Sequence, residues 1–207
     1  EAPTISVATD GSVTEDAVAS TITGSLVGSD PDGDDLTYLM PGKTAVDGSY
    51  SVTGTYGTLV LNASTGAYTY TLDNSASAVD ALGGSSSETE TFSVQVTDGS
   101  NTPTAQNLSF TIKGANDAPS SVALSSTSVV ENSAGAVVGA LSASDAEGTA
   151  VTYTVAVDGD GALFEVDGSN NLKLKSSVTA DLEAKSSYSV TVNATDGTAT
   201  TSKVFSI

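Results

Sequence analysis

Residues 27–38, "VGSDPDGDDLTY", align without gaps on residues 142–153, "SASDAEGTAVTY". The match sets Asp30 on Asp145, Asp32 on Glu147, Gly33 on Gly148 and Tyr38 on Tyr153. Two further segments repeat in the same order. "SVTEDAV" (12–18) falls on "SVVENSA" (128–134) and sets Glu15 on Glu131. "VQVTDGS" (94–100) falls on "VTVNATDGT" (190–198) and sets Asp98 on Asp196. A chain that carries one pattern twice must build two similar units, each with its own core.

The joint is "GANDAP" (114–119). Gly114 breaks a strand, Asn116 and Asp117 favour a turn, and Pro119 has no backbone donor. The expected domains are therefore 1–116 and 117–207, and either can bury a core. Glu1-Ala2-Pro3 looks like a clipped copy of the same joint, and the ends read as those of a fragment of a longer chain. From Tyr38 to Asp98 is 60 positions, against 43 from Tyr153 to Asp196. The first domain thus carries an insertion, placed at the hairpin "GTLVLNASTGAYTYTL" (57–72).

Period-two alternation dominates both halves. Phe92, Val94 and Val96 alternate with Ser93, Gln95 and Thr97; Leu108, Phe110 and Ile112 with Ser109 and Thr111. Val151, Tyr153, Val155 and Val157 alternate in the second half, as do Tyr188, Val190, Val192 and Ala194. Short strands with one buried face, separated by Gly, Asp, Asn and Ser, predict an all-β chain of two tandem antiparallel β-sandwich domains. The one helical turn expected is in "SASAVDALGG" (75–84).

Composition removes several function classes. There is no Cys and no His, so thiolate, Ser-His-Asp and His-ligated zinc chemistry are all absent. The 25 acids face 6 lysines, for a net charge of −19. That disfavours nucleic acid and anionic membranes and favours cations. No apolar run is long enough to insert in a membrane. Paired carboxylates can make a glycosidase, but these lie at strand ends and no Trp offers a sugar platform, so the chain is read as no enzyme.

Calcium takes about 6–8 oxygens from carboxylates, amides and carbonyls at roughly 2.3–2.6 Å. A joint that gathers Glu15, Asn116, Asp117, Asp145, Glu147 and Asp196 offers that inventory. Without metal, such carboxylates at roughly 4 Å repel by ~1–4 kcal/mol per pair. "DPDGDD" (30–35) and "DGDG" (158–161) only superficially resemble EF-hand loops; Asp34 and Asp35 read as turn residues and "DGDG" as a hairpin turn.

"SVVEN", "SASDAEG", "DLEAK" (181–185), "VNATDG" and "NDAP" resemble the calcium motifs of cadherin-like repeats, so residues 118–207 look like a bacterial cadherin-like domain. "VTEDAV", "SDPDGDDLTY", "YGTLVLNASTGAYTYTLDN" (56–74), "FSVQVTDG" and "IKGANDAP" resemble a VCBS-type repeat. Such modules occur in tandem in giant bacterial surface adhesins, including RTX-type and biofilm proteins. The resemblance implies cadherin/Ig-like sandwiches of about seven strands that bind Ca2+. It assigns the joint to Glu15, Asn116, Asp117, Asp145, Glu147 and Asp196, with the Ala115 carbonyl. It implies a half-site of Glu1, Asp30, Asp32 and Asp98 in domain 1, and one of Glu131, Asp181 and Glu183 in domain 2. Two departures reduce the ligand count. Gly114 stands where the cadherin linker begins with Asp, and Ser86 stands where the VCBS pattern has Glu, with Glu88 near enough to substitute.

The resulting expectation is a secreted, extracellular, calcium-rigidified extender module at a bacterial cell surface. It would be monomeric, with neighbouring domains of its own chain as partners. The alternative is a module that binds polysaccharide or another cell-surface ligand through Tyr50, Tyr56, Tyr68 and Tyr70. Homophilic adhesion ranks last, because no exposed apolar anchor is evident.

Overall fold

The computed structural model describes residues 1–7, 11–101 and 105–207. They form two compact units, Glu1–Ala115 and Asn116–Ile207. Both are β-sandwiches.

The first unit contains β1 (Thr4–Ser6), β2 (Gly11–Thr14), β3 (Thr21–Ser25), β4 (Val27–Ser29), β5 (Thr37–Leu39), β6 (Ser49–Thr53), β7 (Gly57–Asn62), β8 (Ala67–Leu72), β9 (Ser87–Thr97) and β10 (Gln106–Lys113). The expected helical turn is α1, Ser77–Asp80. One sheet has the order β2-β10-β9-β5 and the other β3-β8-β7-β6, with β1 and β4 as a separate pair. Alternation sets the layers: Phe92, Val94 and Val96 of β9 point inward with Leu108, Phe110 and Ile112 of β10. Leu59, Leu61 and Tyr70 of the opposite sheet are fully buried against them. Tyr70 stacks on Phe110 at 4.4 Å between ring centroids, and this contact joins the two sheets.

The second unit contains β11 (Ser120–Leu124), β12 (Val137–Ser144), β13 (Thr152–Val155), β14 (Phe164–Val166), β15 (Asn171–Leu174), β16 (Ser189–Thr195) and β17 (Thr200–Ser206). Its sheets are β11-β12-β15-β14 and β13-β16-β17. Phe164, Leu172, Leu174, Val190 and Val192 form its core.

Four features differ from the sequence reading. The sandwich is not wholly antiparallel, since β2 runs parallel to β10 from Gly11↔Phe110 to Thr14↔Lys113. The hairpin at 57–72 is no appendage: β7–β8 answers to β14–β15 of the second unit, and the strands without a counterpart there are β2 and β6. "DGDG" opens a 3-10 helix, Gly159–Leu163, instead of a hairpin turn. Asp160 in it accepts from the Ser189 N–H at 2.9 Å and pairs with Lys185. Finally, the alternation at 151–157 overruns its strand, which ends at Val155 and leaves Val157 84% exposed.

Candidate metal sites at the unit ends

The duplicated acids occupy the same loops in both units and make the same local bonds. In the first unit Asp30 opens the turn after β4. Its Oδ1 accepts the Asp32 N–H at 2.8 Å and the Asp34 N–H at 3.4 Å. In the second unit Asp145 follows β12, and its Oδ1 accepts the Thr149 N–H at 2.8 Å. Gly33 (φ +79°) and Gly148 (φ +74°) make the left-handed step both turns require. In each case the second oxygen, Oδ2, is buried and has no hydrogen-bond partner.

The Asp-Gly loops also match. Asp98 Oδ1 accepts from Ser100 N–H (2.7 Å) and Asn101 N–H (2.6 Å), and Oδ2 from the Asn101 amide at 2.7 Å. The Asn101 amide, then its backbone and that of Ser100, hold the Asp98 carboxyl down to about 2. Asp196 Oδ1 accepts from Thr198 N–H (2.6 Å) and Ala199 N–H (2.7 Å), and Oδ2 from the Asn116 amide at 2.8 Å. The Ala199 backbone, then the Asn116 amide, lower the Asp196 carboxyl below the ordinary carboxylate range. The Asp117 N–H donates to Glu147 Oε1 at 2.7 Å, while Glu147 Oε2 is buried without a partner.

In the second unit, hydrogen bonds thus link Asn116 to Asp196 and Asp117 to Glu147, and Asp145 stands on the same loop as Glu147. The first unit assembles Glu1, Asp30, Asp32 and Asp98. The Asn101 amide bridges the Glu1 carbonyl at 3.3 Å to Asp98, and the Glu1 amine contacts Asp32. One carboxylate oxygen each from Asp30, Asp32 and Asp34 lies within 4.8 Å of the others. Asp34, set aside as a turn residue, thus joins the cluster.

The remaining predicted ligands stand elsewhere. Glu15 is 3% exposed and accepts the Ala115 N–H at 2.9 Å through Oε2. Glu88 is exposed and sits opposite Ile112 in the β9–β10 ladder. Glu131, Asp181 and Glu183 are all exposed. Glu131 Oε2 accepts the Leu182 N–H at 3.4 Å and Asp181 Oδ1 the Ala184 N–H at 3.0 Å, with no bond from Glu183 to either acid among the described residues.

The sequence reading missed one buried carboxylate, Glu90, which is 6% exposed. Its Oε2 accepts the Tyr70 hydroxyl at 2.7 Å, and its Oε1 accepts the Tyr56 N–H at 3.0 Å and the Thr55 N–H. The signal was available: Glu90 is in phase with Phe92, Val94 and Val96, the inward set. Tyr50, Tyr68 and Tyr70 are buried in the first core, so they form no exposed aromatic face.

A sequence profile of the bacterial cadherin-like domain matches residues 1–114. The chain belongs to that family. The matched stretch is the unit whose motifs resemble a VCBS-type repeat; for the second unit the cadherin likeness is one of fold. Among solved structures this cadherin-like chain is similar to protocadherin gamma B2 extracellular cadherin domains 3–6, at 21% identity and a TM-score of 0.58, over 99% of this chain and 46% of that one. It is similar to mouse cadherin-23 EC22–24 (18% identity, TM-score 0.54, 99% of this chain and 64% of that one). It also matches human protocadherin-24 EC1–2 (17% identity, TM-score 0.50, 100% of this chain and 96% of that one). The chain spans about half the length of the protocadherin gamma B2 structure. Among curated proteins no relative matches. No helix among the described residues is long and apolar enough to cross a membrane.

The acids fit a hard divalent cation. A buried carboxylate oxygen without a donor costs on the order of 1–3 kcal/mol. Asp30 Oδ2, Asp145 Oδ2 and Glu147 Oε2 all stand in that condition. Among the described residues no Lys pairs with the acids of these loops; the Glu1 amine and amide donors do. Calcium accepts this oxygen-only set and its irregular geometry, whereas Mg2+ demands an octahedron and keeps its waters.

Proposed function

We propose that the chain is a calcium-stiffened structural module of a large secreted bacterial adhesin, with no reaction of its own. The observation that carries this reading is the repeated idle oxygen. Asp30 and Asp145, at equivalent places in two units, each commit Oδ1 to their own loop and hold Oδ2 buried without a donor. In this reading Asn116, Asp117, Asp145, Glu147 and Asp196 hold calcium with Glu15 and the Ala115 carbonyl. Glu1, Asp30, Asp32, Asp34 and Asp98 form the corresponding half-site of the first unit. Calcium supplies positive charge that turns mutual repulsion into attraction, so that neighbouring domains keep a fixed orientation. The extracellular cell-surface location follows from the same reading. The alternative as a polysaccharide receptor loses its main support, because Tyr50, Tyr68 and Tyr70 are buried and Tyr56 is half-buried against the same core.

The test is a calcium titration of chelated protein, followed by heat and by thermal stability. A ligand that binds only the folded state adds about 2.7 kcal/mol at a hundredfold excess over Kd. The expected result is exothermic or endothermic saturable binding with a raised Tm, reduced in Asp145→Asn. Absence of heat and of any Tm change would refute the calcium reading. An unchanged radius of gyration with and without chelator would refute the stiffening.

A further inference from the structure

The two units treat one sheet edge differently. In the second unit the β13 edge of β16 is closed by the chain itself. The Ala156 N–H donates to the Thr191 carbonyl at 3.0 Å, and Asp160 Oδ2 accepts the Ser189 N–H at 2.9 Å. The ladder shows why these groups point that way. Tyr188 exchanges both backbone bonds with Ile207, at 2.9 Å each, so Ser189 and Thr191 direct theirs to the opposite side.

Setting Asp98 on Asp196 places Thr91 on Ser189 and Ser93 on Thr191. Setting Tyr38 on Tyr153 places Pro41 on Ala156. Pro41 has no N–H to give. Accordingly β5 pairs with Gln95–Thr97 only and stops at Leu39, although β9 runs on to Ser87. Among the described residues nothing on that side bonds the Thr91 or Ser93 backbone. A cleft of about 280 Å3 lies there. Met40, Val52 and Phe92 give it an apolar floor, the exposed Thr91 and Ser93 form one wall, and Lys43 stands at the rim. Lys43 is one of only two lysines in the first unit.

We propose that this open edge of β9 is a docking site for an extended, acid-bearing peptide segment of a partner protein, added antiparallel as β5 would continue. Main-chain bonds to Thr91 and Ser93 supply the affinity, and an apolar side chain enters the Met40–Val52–Phe92 floor. The acid is chosen by two facts. The second unit satisfies the equivalent N–H with the Asp160 carboxylate, and Lys43 puts positive charge on a unit that is otherwise strongly acidic. The inference does not depend on calcium.

The probe is a blocked hexapeptide, Val-Ala-Val-Asp-Gly-Asp, the sequence at 155–160. It is titrated into the 15N-labelled 207-residue chain, and amide shifts are followed by NMR. Saturable shifts confined to residues near 41–43, 52–54 and 91–93 are expected, weaker at high salt. Pro41→Ala lets the chain's own N–H reach Ser93 and should weaken binding about tenfold. Lys43→Ala should weaken it several-fold. The absence of shifts at millimolar peptide would overturn the proposal, as would binding that Pro41→Ala leaves unchanged. Equal binding of the Asn-for-Asp peptide would overturn the acidic class. Shifts that grow with protein concentration alone would assign the edge to a second copy instead.

Discussion

Tyr70→Phe tests what holds the first core together. The Tyr70 hydroxyl reaches across from β8 to Glu90 Oε2 on β9, at 2.7 Å, so this bond spans the two sheets. Burial first, then the Glu90 bond, raise the Tyr70 pKa far above its ordinary value, so the phenol remains protonated and donates. Phe fills the same space and keeps the 4.4 Å stack on Phe110. The change therefore removes one hydrogen bond and strands a buried carboxylate oxygen. Bonds to charged groups are worth about 1.5–3 kcal/mol; we take ~2 kcal/mol, which lowers the Tm of a unit this size by roughly 8 °C. Glu90→Gln should cost less, about 1 kcal/mol, since its amide still accepts from Tyr56 and can donate to the Tyr70 oxygen. The pair should be non-additive by at least about 0.5 kcal/mol. Calorimetry in chelator, with near-UV circular dichroism on the tyrosines, reads all three variants. A Tyr70→Phe melt within a degree or so of wild type, or strict additivity, would refute the reasoning.

Gly54→Ala should destabilise the first unit, because a Cβ there would stand 2.1 Å from Glu90 Oε1, which its donors hold in place; in a Glu90→Ala background most of the penalty should vanish, as urea melts would show. Asn101→Ala should return the Asp98 carboxyl from about 2 toward 3.8 in a carboxylate 13C NMR titration. Because the folded pKa is depressed, this loop's stabilisation is complete above pH 3.8 and is lost as pH falls toward 2. Asn101→Ala should therefore flatten the loss of Tm over that acid range. Asp30→Asn in chelator should raise the Tm by the equivalent of ~1 kcal/mol, by removing one charge from a repelling cluster; a fall would show that the cluster is not under repulsion.

The strands and the acidic sets were legible for one reason: both are patterns local in sequence. Period two marked the inward faces of β9 and β10, and the duplicated spacing marked Asp30 with Asp145 and Asp98 with Asp196. What escaped depends on contacts between distant segments. The parallel pairing of Gly11–Thr14 with Phe110–Lys113 joins residues about a hundred positions apart and leaves no local mark. β6 could not be told from the neighbouring hairpin until the two sheets were compared. Glu90 is a buried acid, against the usual exposure of acids, and its one sequence mark is its phase in β9, which places it on the core side. "DGDG" has turn chemistry, but Asp160 is drawn to Ser189 and Lys185, and the segment winds into a 3-10 turn.

The parallel pairing of β2 with β10 has a mechanical consequence. β2 lies near the start of the first unit and β10 near its end, and four residue pairs join them. Tension applied through the chain on either side pulls the two strands along their length in opposite directions. Their hydrogen bonds are then loaded together in shear, and cannot be opened one at a time as in a zipper. Resistance to pulling is governed by the unfolding rate and not by equilibrium stability. Load from the N-terminal side meets the three-pair β1–β4 contact first, and the β2–β10 pairing is the shear clamp behind it.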